Sequence, residues 1–148
     1  MSFRVRLLTI STAAGLAAGL AASAVRANPA QAAHSVWDGV YTAEQAERGR
    51  AFYAKECASC HGEGLTGQDQ VPTLVGPGFL ANWDGQTVAA LFDQTRKSMP
   101  KNNPNGFSRQ EYLDSVALIL KANGFPAGKT ELPRATAELT ELRISQFK

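Results

Sequence analysis

Two cysteines and a histidine lie together in the pentapeptide CASCH, as Cys57, Cys60 and His61. Of all the side chains in the sequence, these are the best candidates for covalent bonding or metal binding. The chain has no other cysteine, so any bond that the thiols form is local or intermolecular. Thiols at this spacing can form a redox-active disulfide, bind a metal ion together with an imidazole, or bond covalently to a cofactor. The flanking sequence distinguishes among these uses.

Two of the three uses lack what they require. A thioredoxin-like redox motif requires a preceding strand in a βαβ unit, but the preceding residues TAEQAERGRAFYAKE have a helical pattern. A structural zinc site requires about four nitrogen or sulfur ligands, and His34 is the only other histidine. The spacing C-x-x-C-H is that of c-type haem attachment and uses both thiols and the imidazole. It favours one haem c bonded to Cys57 and Cys60, with His61 on the iron.

Three glycines after the motif, Gly62, Gly64 and Gly67, also match the dinucleotide fingerprint G-x-G-x-x-G. That fingerprint binds a pyrophosphate only where it follows a strand and opens a helix. Here it follows a helix and leads into QDQVPTLVGPG, which contains two prolines and has no helical periodicity. We interpret these glycines as a loop that lets the chain fold tightly away from the haem edge, where side chains would collide.

Three helices are predicted to position the motif. The first begins at Thr42 and extends toward Cys57, and the second spans about residues 87–95 with apolar residues at helical spacing. The third begins with a capping box, in which Ser108 pairs with the glutamate three residues later, and ends at Gly124.

The first helix has two features that make specific predictions. Gln45 lies three residues after Thr42, so the two are predicted to form a capping box. Gly49 lies inside the helix, where glycine costs about 1 kcal/mol relative to alanine, and this indicates that another backbone passes close by. The alternative is a tolerated glycine on an exposed face.

The N-terminal segment, residues 1–33, has the pattern of a secretory signal: a basic start, an uncharged run and small residues suited to a peptidase. We expect cleavage near residues 27–33, a periplasmic protein and no membrane span after cleavage; an uncleaved anchor is the alternative. From His34 onward the chain has twelve Lys and Arg and thirteen Asp and Glu. A near-neutral domain lacks the basic surface that nucleic acid requires.

The order of helix, CASCH, VPTLVG, Trp83, SMP and amphipathic helix resembles the class I c-type cytochromes, in their bacterial single-domain form. The resemblance covers about residues 36–126. It implies an all-α fold in which three main helices and loops surround one covalently bound haem, and the first and last helices cross at a small residue, here Gly49. We therefore expect a cytochrome domain over residues 34–126 and a C-terminal extension over residues 127–148.

Met99 is the candidate for the sixth iron ligand, because it is the only methionine left once the signal is removed. It also matches the methionine of the family's SMP. The resemblance further implies that the Pro72 carbonyl accepts a hydrogen bond from the second ring nitrogen of His61. Trp83 resembles the aromatic residue whose indole N–H contacts a haem propionate; a plain packing role is the alternative.

Ligation by His61 and Met99 would leave no open position on the iron, so we expect a carrier of single electrons rather than an enzyme. Expected partners are redox proteins: a periplasmic dehydrogenase, of the quinoprotein or another type, as donor and an oxidase or another cytochrome as acceptor. Arg96, Lys97 and Lys101 flank Met99 and form a candidate docking patch. The alternatives are a five-coordinate haem sensor or peroxidase-like enzyme, and a fixed relay subunit of a dehydrogenase complex.

The C-terminal extension carries apolar residues at spacings that fit a short helix or strand beginning near Pro133. These residues are Leu139, Leu142, Ile144 and Phe147. Apolar side chains at this density require a cover, which either the domain itself or a partner protein would supply.

Overall fold

The computed structural model describes residues 34–148, and this part of the chain is mostly helical. The helices are α1 (Ala43–Glu56), α2 (Ala58–His61), α3 (Gly76–Trp83), α4 (Val88–Ser98), α5 (Arg109–Ala122) and α6 (Thr136–Thr140). Two short strands, β1 (His34–Ser35) and β2 (Leu142–Arg143), pair in parallel. The helices confirm the predicted all-α class. The predicted signal segment, residues 1–33, lies outside the described residues.

The three predicted helices correspond to α1, α4 and α5, and each begins at a side-chain cap. Thr42, Thr87 and Ser108 each accept a hydrogen bond from the backbone N–H three residues later, at 3.1, 3.0 and 3.3 Å. At α5 the predicted capping box is complete, since the Glu111 carboxylate accepts from the Ser108 N–H at 2.8 Å. These bonds satisfy N–H groups that the first helical turn leaves unpaired. No helix within residues 34–148 is long and apolar enough to cross a bilayer.

The capping box predicted at the start of α1 is wrong in one of its two bonds. Thr42 caps the helix, but Gln45 is fully buried and its side-chain oxygen accepts from the Leu132 N–H at 2.8 Å. Gln45 therefore joins α1 to the C-terminal extension instead of closing its own helical turn. A buried backbone N–H requires a partner, and Gln45 supplies one for the extension.

Helix α3 is an addition to the three predicted helices. Pro77 lies in its first turn, where a missing N–H costs nothing and the fixed φ of proline suits a helix. Phe79 is buried, and its ring stacks with that of Trp83 at a centroid distance of 6.1 Å. With eight residues, α3 is too short to form alone, and its packing against the core stabilises it.

Helices α1 and α5 cross at Gly49. A Cβ atom on Gly49 would lie 1.9 Å from the Asp114 carbonyl oxygen and 3.2 Å from the Leu118 Cβ atom. The first distance is far shorter than any real contact, so only glycine lets the two backbones approach this closely. The predicted passage of another backbone beside Gly49 is confirmed.

An ion-pair cluster lies next to this crossing. The Arg48 guanidinium makes two hydrogen bonds of 3.0 Å to the buried Asp114 carboxylate and one of 2.8 Å to Glu131. Hydrogen bonds donated by Arg48 to both carboxylates raise the pKa of its guanidinium, which stays charged. A bidentate arginine–carboxylate pair is strong and directional, so the cluster holds α1, α5 and the extension together.

The C-terminal extension packs against the rest of the protein. Leu139, Leu142 and Ile144 are buried, whereas Phe147 is 77% exposed. The backbone of Ile144 bonds in both directions with the turn before α4, donating to Gln86 at 2.9 Å and accepting from Gly85 at 2.8 Å. The Trp37 indole N–H donates to the Ser145 carbonyl at 2.9 Å. Most of the apolar side chains in the extension are thus covered by the protein itself.

Replacing Gly49 with alanine is expected to lower the free energy of unfolding by about 2 kcal/mol or more. The helix propensity of alanine would add about 1 kcal/mol, but the new Cβ atom would push the α1 and α5 backbones apart. Urea denaturation of purified wild-type and Gly49→Ala protein measures the difference.

Gly64→Ala is the matched control for this substitution. A Cβ atom on Gly64 meets no atom nearer than 3.7 Å, which is an ordinary van der Waals distance. We expect a change within about 0.5 kcal/mol for this variant. Equal stability of Gly49→Ala and wild type would contradict the close crossing.

Candidate functional site

The CASCH motif lies where α1 ends, and a helical turn brings its reactive side chains together. Cys57 joins α1 to the four-residue helix α2, and the His61 N–H donates to the Cys57 carbonyl at 3.0 Å. Cys57 is half-buried, Cys60 is exposed and His61 is buried. The two thiols are three residues apart on one turn, so they can reach two positions on the edge of one planar group.

The His61 ring is oriented by a backbone carbonyl. Its Nδ1 atom lies 3.1 Å from the Pro72 carbonyl oxygen. A carbonyl oxygen can only accept, so Nδ1 carries the proton in this pair and Nε2 keeps a lone pair for a metal. A hydrogen bond of this kind fixes the ring and makes the metal-binding nitrogen more basic.

The loop between His61 and Pro72 turns tightly at Gly67. A Cβ atom on Gly67 would lie 2.3 Å from the Val71 carbonyl oxygen, and its φ of +71° is in the left-handed region. The Gly67 N–H donates to the His61 carbonyl at 2.9 Å. Gly67 therefore lets the chain turn back and present the Pro72 carbonyl to His61, and the interpretation of this glycine as part of a tight turn is confirmed.

Asn123, at the end of α5, holds the segment that follows Pro72. Its side-chain oxygen accepts from the Gly76 N–H at 2.9 Å, and its amide donates to the carbonyls of Leu74 at 2.9 Å and Ile119 at 2.8 Å. Sequence reasoning missed this role because Asn123 precedes Gly124, and the pair signals only the end of a helix. No local pattern reveals a bond across 49 residues.

Met99 follows the last residue of α4, and both its backbone N–H and its backbone carbonyl are hydrogen-bonded. Its N–H donates to the Thr95 carbonyl at 3.0 Å, and its carbonyl oxygen accepts from the Tyr112 hydroxyl at 3.1 Å. Tyr112 lies in the first turn of α5 and is buried. The contact joins the end of α4 to α5.

A cavity of about 480 Å³ brings most of the predicted site residues together. Its lining includes Cys57, Cys60, His61, Pro72 and Met99. The volume lies within the range of about 300–1,000 Å³ typical of cofactor and ligand sites. A flat group attached to the two thiols would lie in a space that both the His61 imidazole and the Met99 thioether border.

Trp83 is the predicted site residue that the cavity does not include. It is half-buried at the end of α3, where it stacks on Phe79 and packs against the core. The position suits the alternative of a packing residue, and its contact with a haem propionate stays a prediction.

Cys57 lies in a poorly solvated part of the cavity lining. Burial, assisted by negative charge at Glu56 and Cys60, raises the pKa of the Cys57 thiol to about 11. An environment that disfavours a thiolate suits an apolar thioether and a hydrophobic cofactor. Two cations, Lys55 and Lys101, and one carboxylate, Glu56, border the same cavity.

These residues fit haem c. Two thiols lie one helical turn apart, an imidazole has its second nitrogen already paired, and a thioether borders the same cavity of suitable size. Cys57 and Cys60 would hold the group covalently, and His61 and Met99 are the candidate iron ligands.

A comparison with known families agrees with this fit. The model of the family described as cytochrome c oxidase, cbb3-type, subunit III matches residues 44–119. That range is slightly more than half of the 148-residue chain, and it contains the CASCH motif, Pro72 and Met99. The chain belongs to this cytochrome c family. The predicted membership of the class I c-type cytochromes and the predicted class I fold are confirmed.

A solved structure shows a weaker similarity to this cytochrome. It is the sulfane dehydrogenase SoxCD from Paracoccus pantotrophus, at 24% identity and a TM-score of 0.48 over 66% of the cytochrome. The cytochrome spans about half, 52%, of that SoxCD chain. No curated protein matches it. As a class I c-type cytochrome, the protein is a haem c electron-transfer protein.

Replacing Asn123 with alanine is expected to lower the stability of the cytochrome by about 1–3 kcal/mol, because the Gly76 N–H and the Leu74 carbonyl would lose their partner. Asn82→Ala is the control, since Asn82 is exposed and donates one bond within α3, to Gly78 at 3.1 Å. We expect that control to change stability by about 0.5 kcal/mol or less. Thermal unfolding of both variants makes the comparison, and equal melting temperatures would contradict the role of Asn123.

Proposed function

We propose that the protein is an exported, periplasmic cytochrome that carries single electrons between redox proteins. In this proposal Cys57 and Cys60 would hold one haem c covalently, and His61 and Met99 would bind its iron. The supporting observation is the shared cavity, which brings together two thiols, an imidazole and a thioether from segments about forty residues apart in sequence.

The side chains have distinct roles in this proposal. When bound, haem c supplies a reversible one-electron couple at its iron. His61 would bind the iron through Nε2, while the Pro72 carbonyl keeps the ring fixed and the basicity of Nε2 high. The Met99 thioether is a soft ligand that favours the reduced state, as does the poorly solvated pocket around Cys57. Both effects raise the reduction potential.

Two protein ligands would leave no position for a substrate, which is why we propose a carrier rather than an enzyme. His61 is held by the loop that Gly67 closes, and Met99 is held by contacts to α4 and α5. Ligands that keep the same positions in both oxidation states require little rearrangement during electron transfer. The protein's contribution is then to bind, orient and exclude water.

The absorption spectrum of the exported holoprotein tests this ligation. We expect a low-spin spectrum with the weak red sulfur-to-iron band in the oxidised form and no change when carbon monoxide is added to the reduced form. Met99→Leu is expected to abolish the red band and to allow carbon monoxide to bind, since leucine offers no ligand.

Leu139→Met is the matched control, because it makes the reverse exchange of leucine for methionine at a buried site in α6. Its spectrum is expected to equal that of wild type. A high-spin wild-type protein whose spectrum shifts with carbon monoxide would overturn the ligation and favour a sensor or peroxidase-like enzyme.

The proposed partners are a periplasmic dehydrogenase as donor and an oxidase or another cytochrome as acceptor. Lys55 and Lys101 border the cavity, and Arg96 and Lys97 lie in the last turn of α4. Within residues 34–148, Lys97 pairs with Asp93 at 2.7 Å, whereas no carboxylate lies within ion-pair distance of Lys55, Arg96 or Lys101. Lys55 and Lys101 border the cavity together with one carboxylate, Glu56, and these two cations support docking of an acidic partner there.

The salt dependence of oxidation by ferricyanide tests whether Lys55 and Lys101 form a positive patch at the cavity. The part of the chain from His34 onward has a formal charge of −1, so the molecule as a whole would repel this anion. A positive patch at the cavity has the opposite effect, so we expect the rate to fall as salt is added.

The variant Lys101→Gln is expected to lower the rate at low salt by about threefold to tenfold and to flatten its salt dependence. Lys129→Gln, at an exposed position of the extension that does not border the cavity, serves as the control, and we expect its salt dependence to match that of wild type. A wild-type rate that rises with salt would remove the docking patch from the proposal.

A further inference from the structure

All three tyrosines of the chain donate their hydroxyl to a backbone carbonyl. Tyr41 donates to Phe125 at 2.5 Å, Tyr53 to Gly62 at 2.7 Å and Tyr112 to Met99 at 3.1 Å. The first bond anchors the segment just before the C-terminal extension, and the second holds the turn after the CASCH motif. The third bond holds the backbone of Met99, the candidate sixth iron ligand.

We propose that Tyr112 is a positioning residue for Met99, whose hydroxyl keeps the thioether at the cavity and so resists its displacement by other ligands. This inference rests on the proposed function, because it takes Met99 as the iron ligand. Tyr112 does not itself line the cavity, so it acts through the backbone of Met99 and not through contact with the iron.

The Tyr112 ring is held firmly enough for this role. It is 1% exposed and packs edge-on against Phe107 at a centroid distance of 6.2 Å, and Phe107 packs in the same way against Phe52 of α1 at 4.9 Å. Aromatic pairs in this geometry attract each other beyond simple burial. The hydroxyl therefore stands at a position that α1 and α5 fix together.

The segment after Met99 is exposed and has few backbone hydrogen bonds to the helices. Residues 101–106 are exposed, and the backbone bond that joins them to α4 runs from Asn105 to the Arg96 carbonyl, at 2.9 Å. Within residues 34–148, the hydroxyl of Tyr112 is the one hydrogen-bond donor to the Met99 carbonyl. Without this hydroxyl, the Met99 N–H would keep its hydrogen bond to the Thr95 carbonyl, but the Met99 carbonyl would lose its hydrogen bond.

Imidazole titration of the oxidised holoprotein measures this restraint, because imidazole must displace Met99 to bind the iron. We expect Tyr112→Phe to bind imidazole about 3- to 10-fold more tightly than wild type, which is the effect of one lost hydrogen bond on the competing ligand. The weak red sulfur-to-iron band is expected to decline in step with imidazole binding.

Tyr41→Phe is a closely matched control. It removes the same hydroxyl from another buried tyrosine that also donates to a backbone carbonyl, but its partner Phe125 lies outside the cavity. A merely structural loss would affect both variants, whereas loss of Met99 positioning affects only Tyr112→Phe. We expect the imidazole affinity of Tyr41→Phe to equal that of wild type.

The outcomes separate this inference from the proposed function. If wild type has the red band and the two variants bind imidazole equally, the role of Tyr112 is overturned while ligation by Met99 stands. If wild type lacks the band, both fall. Should Tyr112→Phe not be recovered as holoprotein, nuclear Overhauser contacts in reduced wild type decide the matter: contacts between Tyr112 ring protons and Met99 or Pro100 support the inference, and their absence overturns it.

Discussion

The close approach of α1 and α5 at Gly49 is the constraint on which the rest of the structure depends. α1 delivers the CASCH motif at its C-terminal end. α5 carries Tyr112 at one end, which bonds to Met99, and Asn123 at the other, which holds the segment after Pro72. The relative position of two helices therefore sets where the thiols, the imidazole and the thioether meet. Only a glycine permits that position, because the Asp114 carbonyl occupies the space of a Cβ atom.

The ion pair beside the crossing complements this packing. Burying the Asp114 carboxylate is costly unless it is fully paired. Arg48 and Gln110 together donate three hydrogen bonds to its two oxygens, at 3.0, 3.0 and 2.8 Å. Apolar contact drives α1 and α5 together, whereas the directional pairing of Arg48 with Asp114 fixes their register. A shift along either helix would separate the buried carboxylate from its charged partner.

Local signals in the sequence predicted a large part of this arrangement. Caps marked the starts of α1, α4 and α5, the spacing of CASCH indicated the cofactor, and Gly49 indicated a close backbone. Each of these signals depends on residues that are close together in the sequence. The sequence did not reveal α3, whose eight residues are too few to show periodicity, nor the partner of Gln45. It also missed Asn123 and Tyr112 as supports, because their bonds join residues 49 and 13 positions apart and depend on the finished fold.

The C-terminal extension is joined to the helix crossing by polar bonds as well as by apolar contact. Glu131 bonds to Arg48, the Leu132 N–H bonds to Gln45, and β2 pairs with β1 at the start of the described chain. Each bond connects the extension to a residue that also supports α1 or the beginning of the fold. The extension and the helices are therefore thermodynamically linked: a binding event that stabilises the helices also protects the extension from opening and from proteolysis, although no residue of the extension lines the cavity.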